Sequence, residues 1–234
     1  MSRSSPQPTP TSTPIRAATP GPRPRRALAL AGGGPLGAIY EIGTLAALAE
    51  SLEGLDLNEM DIYVGVSAGG LIAAGLANGM TPAAICRMFI DSESAEHPFD
   101  PAMLLKPALP EYARRLAQAP RLVWESLRDY AADPLRKGFF ASLERVARVL
   151  PAGLFDNRGL DEMMRRLFDA PGRSNDFRAL RHRLYLIATD LDSGAAVAFG
   201  SAGHDQVPIS TAVQASAALP GLYPPVPIDG RWYV

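Results

Sequence analysis

Apolar positions along the chain alternate between short unbroken runs and helical stripes. Ala27–Ala31 is a short apolar run stopped by Gly32, which reads as a buried strand. From Ala38 to Ser51, Ile39, Ile42, Leu45, Ala46, Leu48 and Ala49 recur at helical spacing. Asp61–Val64 is a second short strand, Leu71–Asn78 a helix ended by Gly79, and Thr81-Pro82 opens a helix through Phe89. Tyr112, Leu116, Leu122, Val123, Leu127 and Tyr130, then Phe139, Phe140, Leu143, Val146, Val149 and Leu150, repeat at roughly helical spacing. They predict amphipathic helices in a segment of about 90–155, either packed as a cap or facing lipid through Trp124, Phe139 and Phe140. Asn157 is an N-cap candidate for a helix over 160–168. Leu184–Asp190 reads as a buried strand, and Ala195–Phe199 returns beside it after the turn Asp192-Ser193-Gly194. Ile209–Leu219 is an Ala-rich helix stopped by Pro220-Gly221. Asp229-Gly230 between Val226–Ile228 and Arg231–Val234 predicts a hairpin.

Two strand-to-helix junctions are rich in glycine. After the first strand comes Gly32-Gly33-Gly34-Pro35-Leu36-Gly37, a G-x-G-x-x-G pattern in which Pro35 suits the first helical turn. Backbone N–H groups there point outward at the positive end of a helix dipole. Dinucleotide-binding proteins use the same pattern, with an acidic residue about 20 positions on; Glu53 and Asp56 do not clearly end a second strand. After the second strand comes Gly65-Val66-Ser67-Ala68-Gly69, a G-x-S-x-G between strand and helix. That is the context of a nucleophile elbow, with small residues on a sharp turn that lifts the serine hydroxyl above the sheet. A plain helix N-cap is the other reading of Ser67. On adjacent parallel strands the Gly33 and Gly34 amides would lie beside the Ser67 hydroxyl, as acyl transfer through an oxyanion requires.

Composition narrows the classes. The 234 residues carry 23 Lys plus Arg and 24 Asp plus Glu, a net charge of −1, which gives no bulk case for nucleic-acid binding. Cys86 is the single cysteine, so a disulfide scaffold and a Cys-based zinc site are both excluded. No run of 18 apolar residues suggests a transmembrane helix. Residues 1–26 hold five arginines, no acid and seven of the 22 prolines, and read as a disordered basic tail. Arg25-Arg26 before Ala27–Ala31 resembles the start of an export signal, but the apolar run is short for one.

The set Gly32–Gly37, Gly65–Gly69, Ala188-Thr189-Asp190-Leu191-Asp192-Ser193-Gly194 and Ala215-Ser216-Ala217-Ala218-Leu219-Pro220-Gly221 resembles the patatin-like phospholipase family, bacterial branch, in that family's order over about 27–234. The resemblance implies a three-layer α/β/α fold with a mainly parallel central sheet and a helical insertion. It implies a serine lipid acyl hydrolase of the phospholipase A or lysophospholipase type, with a Ser–Asp dyad, an acyl-Ser67 intermediate and no metal or cofactor. Its substrate would be a phospholipid or other acyl ester, met in transient contact with a membrane surface, in the cytoplasm or peripheral to a membrane. Ser67 matches the nucleophile; Gly65, Ala68 and Gly69 its elbow; and Gly32, Gly33, Gly34 and Gly37 the oxyanion-hole turn. Leu36 departs from the arginine many members carry there.

The base is less direct. Members carry Asp-Gly-Gly or Asp-Gly-Ala, whereas the late Asp-Gly here is Asp229-Gly230-Arg231. Bacterial members often run Ile-Asp-Gly-Arg-x-Tyr-Val into Asp-Gly-Gly. That alignment makes Asp229 a hairpin turn, puts the dyad aspartate after Val234 and describes a chain truncated at its C-terminus. Asp229 as base is the other option, and Asp190, at the end of a core strand, is a third carboxylate in view. His97, His182 and His204 all read as surface histidines. A lipid-binding or interaction module lacking its base is the alternative function.

Overall fold

The computed structural model describes residues 25–89, 106–107 and 153–234. The tail before Arg25 and most of the segment expected as helical insertion, with His97, Trp124, Phe139 and Phe140, lie outside the described residues. Strands β1 (Ala27–Leu30), β2 (Ile62–Val66), β3 (Arg183–Thr189) and β4 (Ala196–Phe199) form one sheet in that order. The first three run parallel, with Leu30 opposite Gly65 and Val66 opposite Ile187; β4 returns antiparallel. Parallel strands put both strand-to-helix junctions at the same end of the sheet.

Asp61 ties the opposite end together. Its N–H donates to the Arg26 carbonyl at 2.9 Å, its carboxylate accepts from Arg26 N–H at 2.8 Å, and its carbonyl accepts from Arg183 N–H at 3.4 Å. The starts of β1, β2 and β3 are thus fixed in register by one residue.

Helices α1 (Gly34–Ser51), α2 (Ala68–Ala77), α3 (Pro82–Phe89), α4 (Arg158–Phe168) and α5 (Ile209–Ser216) complete the α/β architecture. α2 is buried nearly all round, from Gly69 through Ala77 apart from Leu71, and packs on β1, β2 and β3. α5 packs on α2 and β3, and α4 on α5. The core includes Tyr63, Ile72, Leu76, Leu186, Phe199, Ile209 and Val213, all fully buried. Burying each aliphatic side chain of that size contributes about 1.5–3 kcal/mol before chain entropy is counted.

Several boundaries differ from the sequence reading, each for a local reason. α1 starts at Gly34, not at Ala38, because the glycine turn closes the first helical bond itself: Gly37 N–H donates to Gly33 carbonyl at 3.0 Å. α2 likewise absorbs Ala68–Gly70. α5 stops at Ser216 rather than Leu219, since Pro220 has no N–H to extend it. A short 3-10 turn, Phe177–Ala179, was not visible as periodicity; the Asp176 carboxylate caps it from Arg178 N–H. β3 is not uniformly buried but alternates, with Leu184, Leu186 and Ala188 inside and Tyr185 and Ile187 half-buried.

The last hairpin, β5 (Val226–Ile228) and β6 (Arg231–Tyr233), joins β3 where β2 leaves it. Thr189 N–H donates to Val234 carbonyl at 2.6 Å, Val234 N–H to Thr189 carbonyl at 3.0 Å, and Leu191 N–H to Trp232 carbonyl at 2.9 Å. β4 takes the alternate residues, with Asp190 N–H bonding Ala195 carbonyl at 2.9 Å. Thr189 has the parity of Ile187, which faces β2, so β6 occupies the edge of β3 that β2 has vacated. It runs antiparallel, head-on toward the β2–α2 junction.

Candidate active site

Ser67 sits between β2 and α2 with φ 52° and ψ −119°. A backbone held there costs about 1–3 kcal/mol and persists only where surroundings impose it. The surroundings are glycines packed without room for side chains. A Cβ on Gly65 would lie 2.5 Å from Gly70 Cα, and one on Gly69 would lie 2.5 Å from the Ala31 carbonyl oxygen. Gly69 N–H also donates to that carbonyl at 3.2 Å, which joins the serine turn to the end of β1. Gly70 and Leu71 N–H donate to Ser67 carbonyl at 3.0 and 3.2 Å. Ser67 therefore holds the N-cap position, as the bland sequence reading had it, yet its side chain makes no capping bond. The hydroxyl is left for other work.

The glycine turn lies directly alongside. A Cβ on Gly32 would sit 3.3 Å from Ser67 Cβ and 3.7 Å from Val66 carbonyl oxygen. Gly33 caps α1, and Gly34 has φ 58°, a conformation that L side chains rarely adopt. Among the described residues the N–H groups of Gly33 and Gly34 have no backbone acceptor. Gly37 plays a different part from its neighbours. Its N–H is spent on Gly33 carbonyl, and its Cα fills the place a Gly33 side chain would take, at 2.7 Å. It is a packing glycine, which takes it out of the expected donor set. Neither α1 nor α2 has an acidic residue in its first turn, so both positive helix ends face this region uncompensated.

The carboxylates divide sharply. Asp229 stands at the exposed tip of the β5–β6 hairpin, with φ 49° followed by Gly230 at 78°. Asp190 is buried and engaged. Its Oδ2 accepts from Arg231 at 2.6 Å and Ser193 Oγ at 2.9 Å, and its Oδ1 accepts from Asp192 N–H at 3.0 Å. Burial pushes its carboxyl upward, but the bonds from Ser193, Arg231 and Asp192 outweigh it and hold the carboxyl below the ordinary carboxylate value. A carboxylate so held is a weak base; its work is to pin β6 to β3. Glu41, on α1 beneath the glycine turn, shows the reverse. Burial raises its carboxyl against the opposing pull of the Ala31 N–H, and its Oε2 is buried without a hydrogen-bond partner among the described residues.

His182 lies just before β3, 3.7 Å from Glu59 and edge-on to Tyr63, at the end of the sheet remote from Ser67. His204 packs edge-on against Phe199. A cleft of about 500 Å³ lined by Phe177, Arg181, His182 and Asp205 belongs to the same remote end. Around the two glycine turns, Leu36, Tyr40, Val66, Leu191, Leu219 and Trp232 are all exposed.

Sequence reasoning missed one member of the site. Ser216, noted only within a motif, is buried at the end of α5; its Oγ accepts from Ser67 N–H at 2.8 Å and donates to Ile187 carbonyl at 2.5 Å. Nothing in periodicity marks such a residue, although a serine closing an otherwise apolar helix is a usable signal.

Comparison with known proteins bears on this arrangement. Among solved structures, VipD from Legionella pneumophila shares 19% identity over 90% of this chain and 45% of its own, at TM-score 0.46. The type III effector ExoU shares 22% over 86% and 40%, at 0.43. ExoU in complex with SpcU, from the type III secretion system of Pseudomonas aeruginosa, shares 22% over 83% and 38%, at 0.40. The chain thus spans less than half the length of each of these structures. No curated protein matches it. The profile of one family, patatin-like phospholipase, matches residues 28–234, a span that holds both glycine turns and Ser216. The chain belongs to the patatin-like phospholipase family.

Proposed function

We propose that this chain carries the catalytic serine of a lipid acyl hydrolase of the phospholipase A or lysophospholipase type. The observation that carries the reading is the close approach of the two turns: a Cβ on Gly32 would lie 3.3 Å from Ser67 Cβ. An ester carbonyl bound between them meets a hydroxyl on one side and bare amides on the other. Ser67 Oγ attacks the carbonyl carbon, and the Gly33 and Gly34 N–H groups, with the α1 and α2 helix ends behind them, receive the oxyanion. Each such donor contributes about 3 kcal/mol to the transition state. The leaving alcohol departs protonated, and water then hydrolyses the acyl-Ser67 ester.

A serine hydroxyl needs a base to take its proton. Asp190 is committed to Arg231 and Asp229 stands at an exposed hairpin tip. We assign the base to a carboxylate in the segment that follows Val234. Val234 is bonded to Thr189, and β6 points along β3 toward Ser67. Exposed Leu36, Tyr40, Leu219 and Trp232 around the turns support contact with a lipid surface while the acyl chain is taken up. The test is fluorophosphonate labelling of the full-length protein. Wild type should label, and Ser67→Ala should lower labelling and phospholipid hydrolysis by at least about a thousandfold. Lipid binding without labelling or turnover would favour the second reading, a binding module.

A further inference from the structure

The β2–β3 ladder ends in an unusual way. Leu186 and Ala188 face β4, so Ile187 presents its carbonyl to β2. With Val66 opposite Ile187, the next rung of a parallel ladder joins Ser67 N–H to the Ile187 carbonyl. That rung is occupied by a side chain instead. Ser216 Oγ accepts from Ser67 N–H at 2.8 Å and donates to Ile187 carbonyl at 2.5 Å. A hydroxyl offers one donor and two acceptor sites, so it can bridge both groups at once. A direct rung would hold Ser67 in extended conformation, in line with the strand. The inserted oxygen takes the place of that rung, and Ser67 takes φ 52°.

We infer that Ser216 is a positioning residue for Ser67: its hydroxyl is a wedge in the last rung of the sheet that turns the nucleophile out toward the glycine amides. The inference rests on the reading of Ser67 as nucleophile. Removing the hydroxyl leaves a part-buried N–H and a part-buried carbonyl facing each other, and the cost of leaving both unpaired drives them together. Ser67 would then be drawn back toward β3 and away from Gly32.

The experiment compares the full-length wild type with Ser216→Ala, Ser216→Thr and Asn157→Ala. Asn157 is the control because its buried side chain bonds Gln214 on the same helix without touching Ser67. Ser216→Ala should slow fluorophosphonate labelling and kcat about 100-fold with KM for a phospholipid in vesicles unchanged, the loss expected when a reacting group moves by about 1 Å. Ser216→Thr, which keeps the hydroxyl, should restore most of the rate. Asn157→Ala should lower the unfolding midpoint and label like wild type. Ser216→Ala at the wild-type rate, Thr as slow as Ala, or an equal loss in Asn157→Ala each overturns the inference. If Ser216→Ala does not fold, Ser216→Cys takes its place, with a weak thiol donor and acceptor. If wild type itself fails to label, the nucleophile reading fails, and a crystal structure of the variant decides the wedge alone. Ser67 N–H on the Ile187 carbonyl with φ negative supports it; an unmoved Ser67 overturns it.

Discussion

Ser67 and Asp229 are the two non-glycine residues with positive φ among the described residues, at 52° and 49°. They share that angle for opposite reasons. Asp229 precedes Gly230 at 78° in a two-residue hairpin loop, where local sequence alone asks for left-handed backbone and Asp accepts it readily. Ser67 has no such local licence. Its turn is imposed by Gly65 against Gly70, Gly69 against Ala31, and Ser216 from 149 positions away. Asp229 is at a solvent-facing tip; Ser67 is where the N-terminal ends of α1 and α2 meet at the glycine turn. At Ser67 the positive φ is supplied by tertiary contacts, whereas at Asp229 the same φ is supplied by turn chemistry.

The comparison can be broken by experiment, beginning with the contacts that hold Ser67. Gly69→Ala drives a methyl group to 2.5 Å from the Ala31 carbonyl oxygen and 2.6 Å from the Leu30 carbonyl carbon. It should cost about 3 kcal/mol, read as a lowered urea midpoint, and abolish activity with it. Gly32→Ala is the sharper test, because its methyl group needs only tenths of an ångström from Ser67. Stability should fall by less than about 1 kcal/mol while labelling of Ser67 falls at least about tenfold. Equal loss of both would mean that the glycine turn serves packing alone.

Two carboxylates should respond to pH with opposite sign. The Asp190 carboxyl lies below its ordinary value when folded, so its stabilisation is present above the unfolded value, about pH 4, and is lost as pH falls through the folded value. Asp190→Asn should flatten the acid limb of a plot of unfolding midpoint against pH. The Glu41 carboxyl is raised when folded, so its favourable contribution is complete below about pH 4 and lost as pH climbs through the raised value. Glu41→Gln should lift the midpoint at pH 7 and leave it nearly unchanged at pH 3. A Glu41→Gln midpoint that falls at pH 7 would refute the buried-carboxylate account. The smallest effect is expected at the corner. Asp229→Asn suits the same turn and should change stability and hydrolysis by no more than about twofold. A hundredfold loss of hydrolysis with stability intact would make Asp229 the base and remove the assignment beyond Val234.

What could be read from sequence follows the range of the forces involved. Strands such as Ile62–Val66 and the Asp229-Gly230 hairpin are written in near neighbours, by apolar runs and turn residues. The two glycine junctions were legible because sharp turns demand glycine at fixed spacing. Which glycine does what was not legible. Gly33 and Gly37 lie in one motif, yet among the described residues one N–H has no backbone acceptor and the other is spent on its partner's carbonyl. The helix starts were read late because glycine and proline look like loop until the first helical bond is seen to close over them. Ser216 and the Asp190–Arg231 pair escaped because each meets its partner across the chain, over 149 and 41 residues. No local pattern encodes that meeting.

The long span between Ser67 and Ser216 also sets an order of events during synthesis. The serine and both glycine turns leave the ribosome early, with the residue that completes the turn still to be made. At ordinary translation rates of about 5–20 residues per second, the bare turn waits about 7–30 seconds for Ser216, 149 residues on. A nascent or prematurely ended chain would thus display Ser67 without the hydroxyl that its N–H bonds. The arrangement of the turn is therefore among the last features of this stretch of chain to be completed.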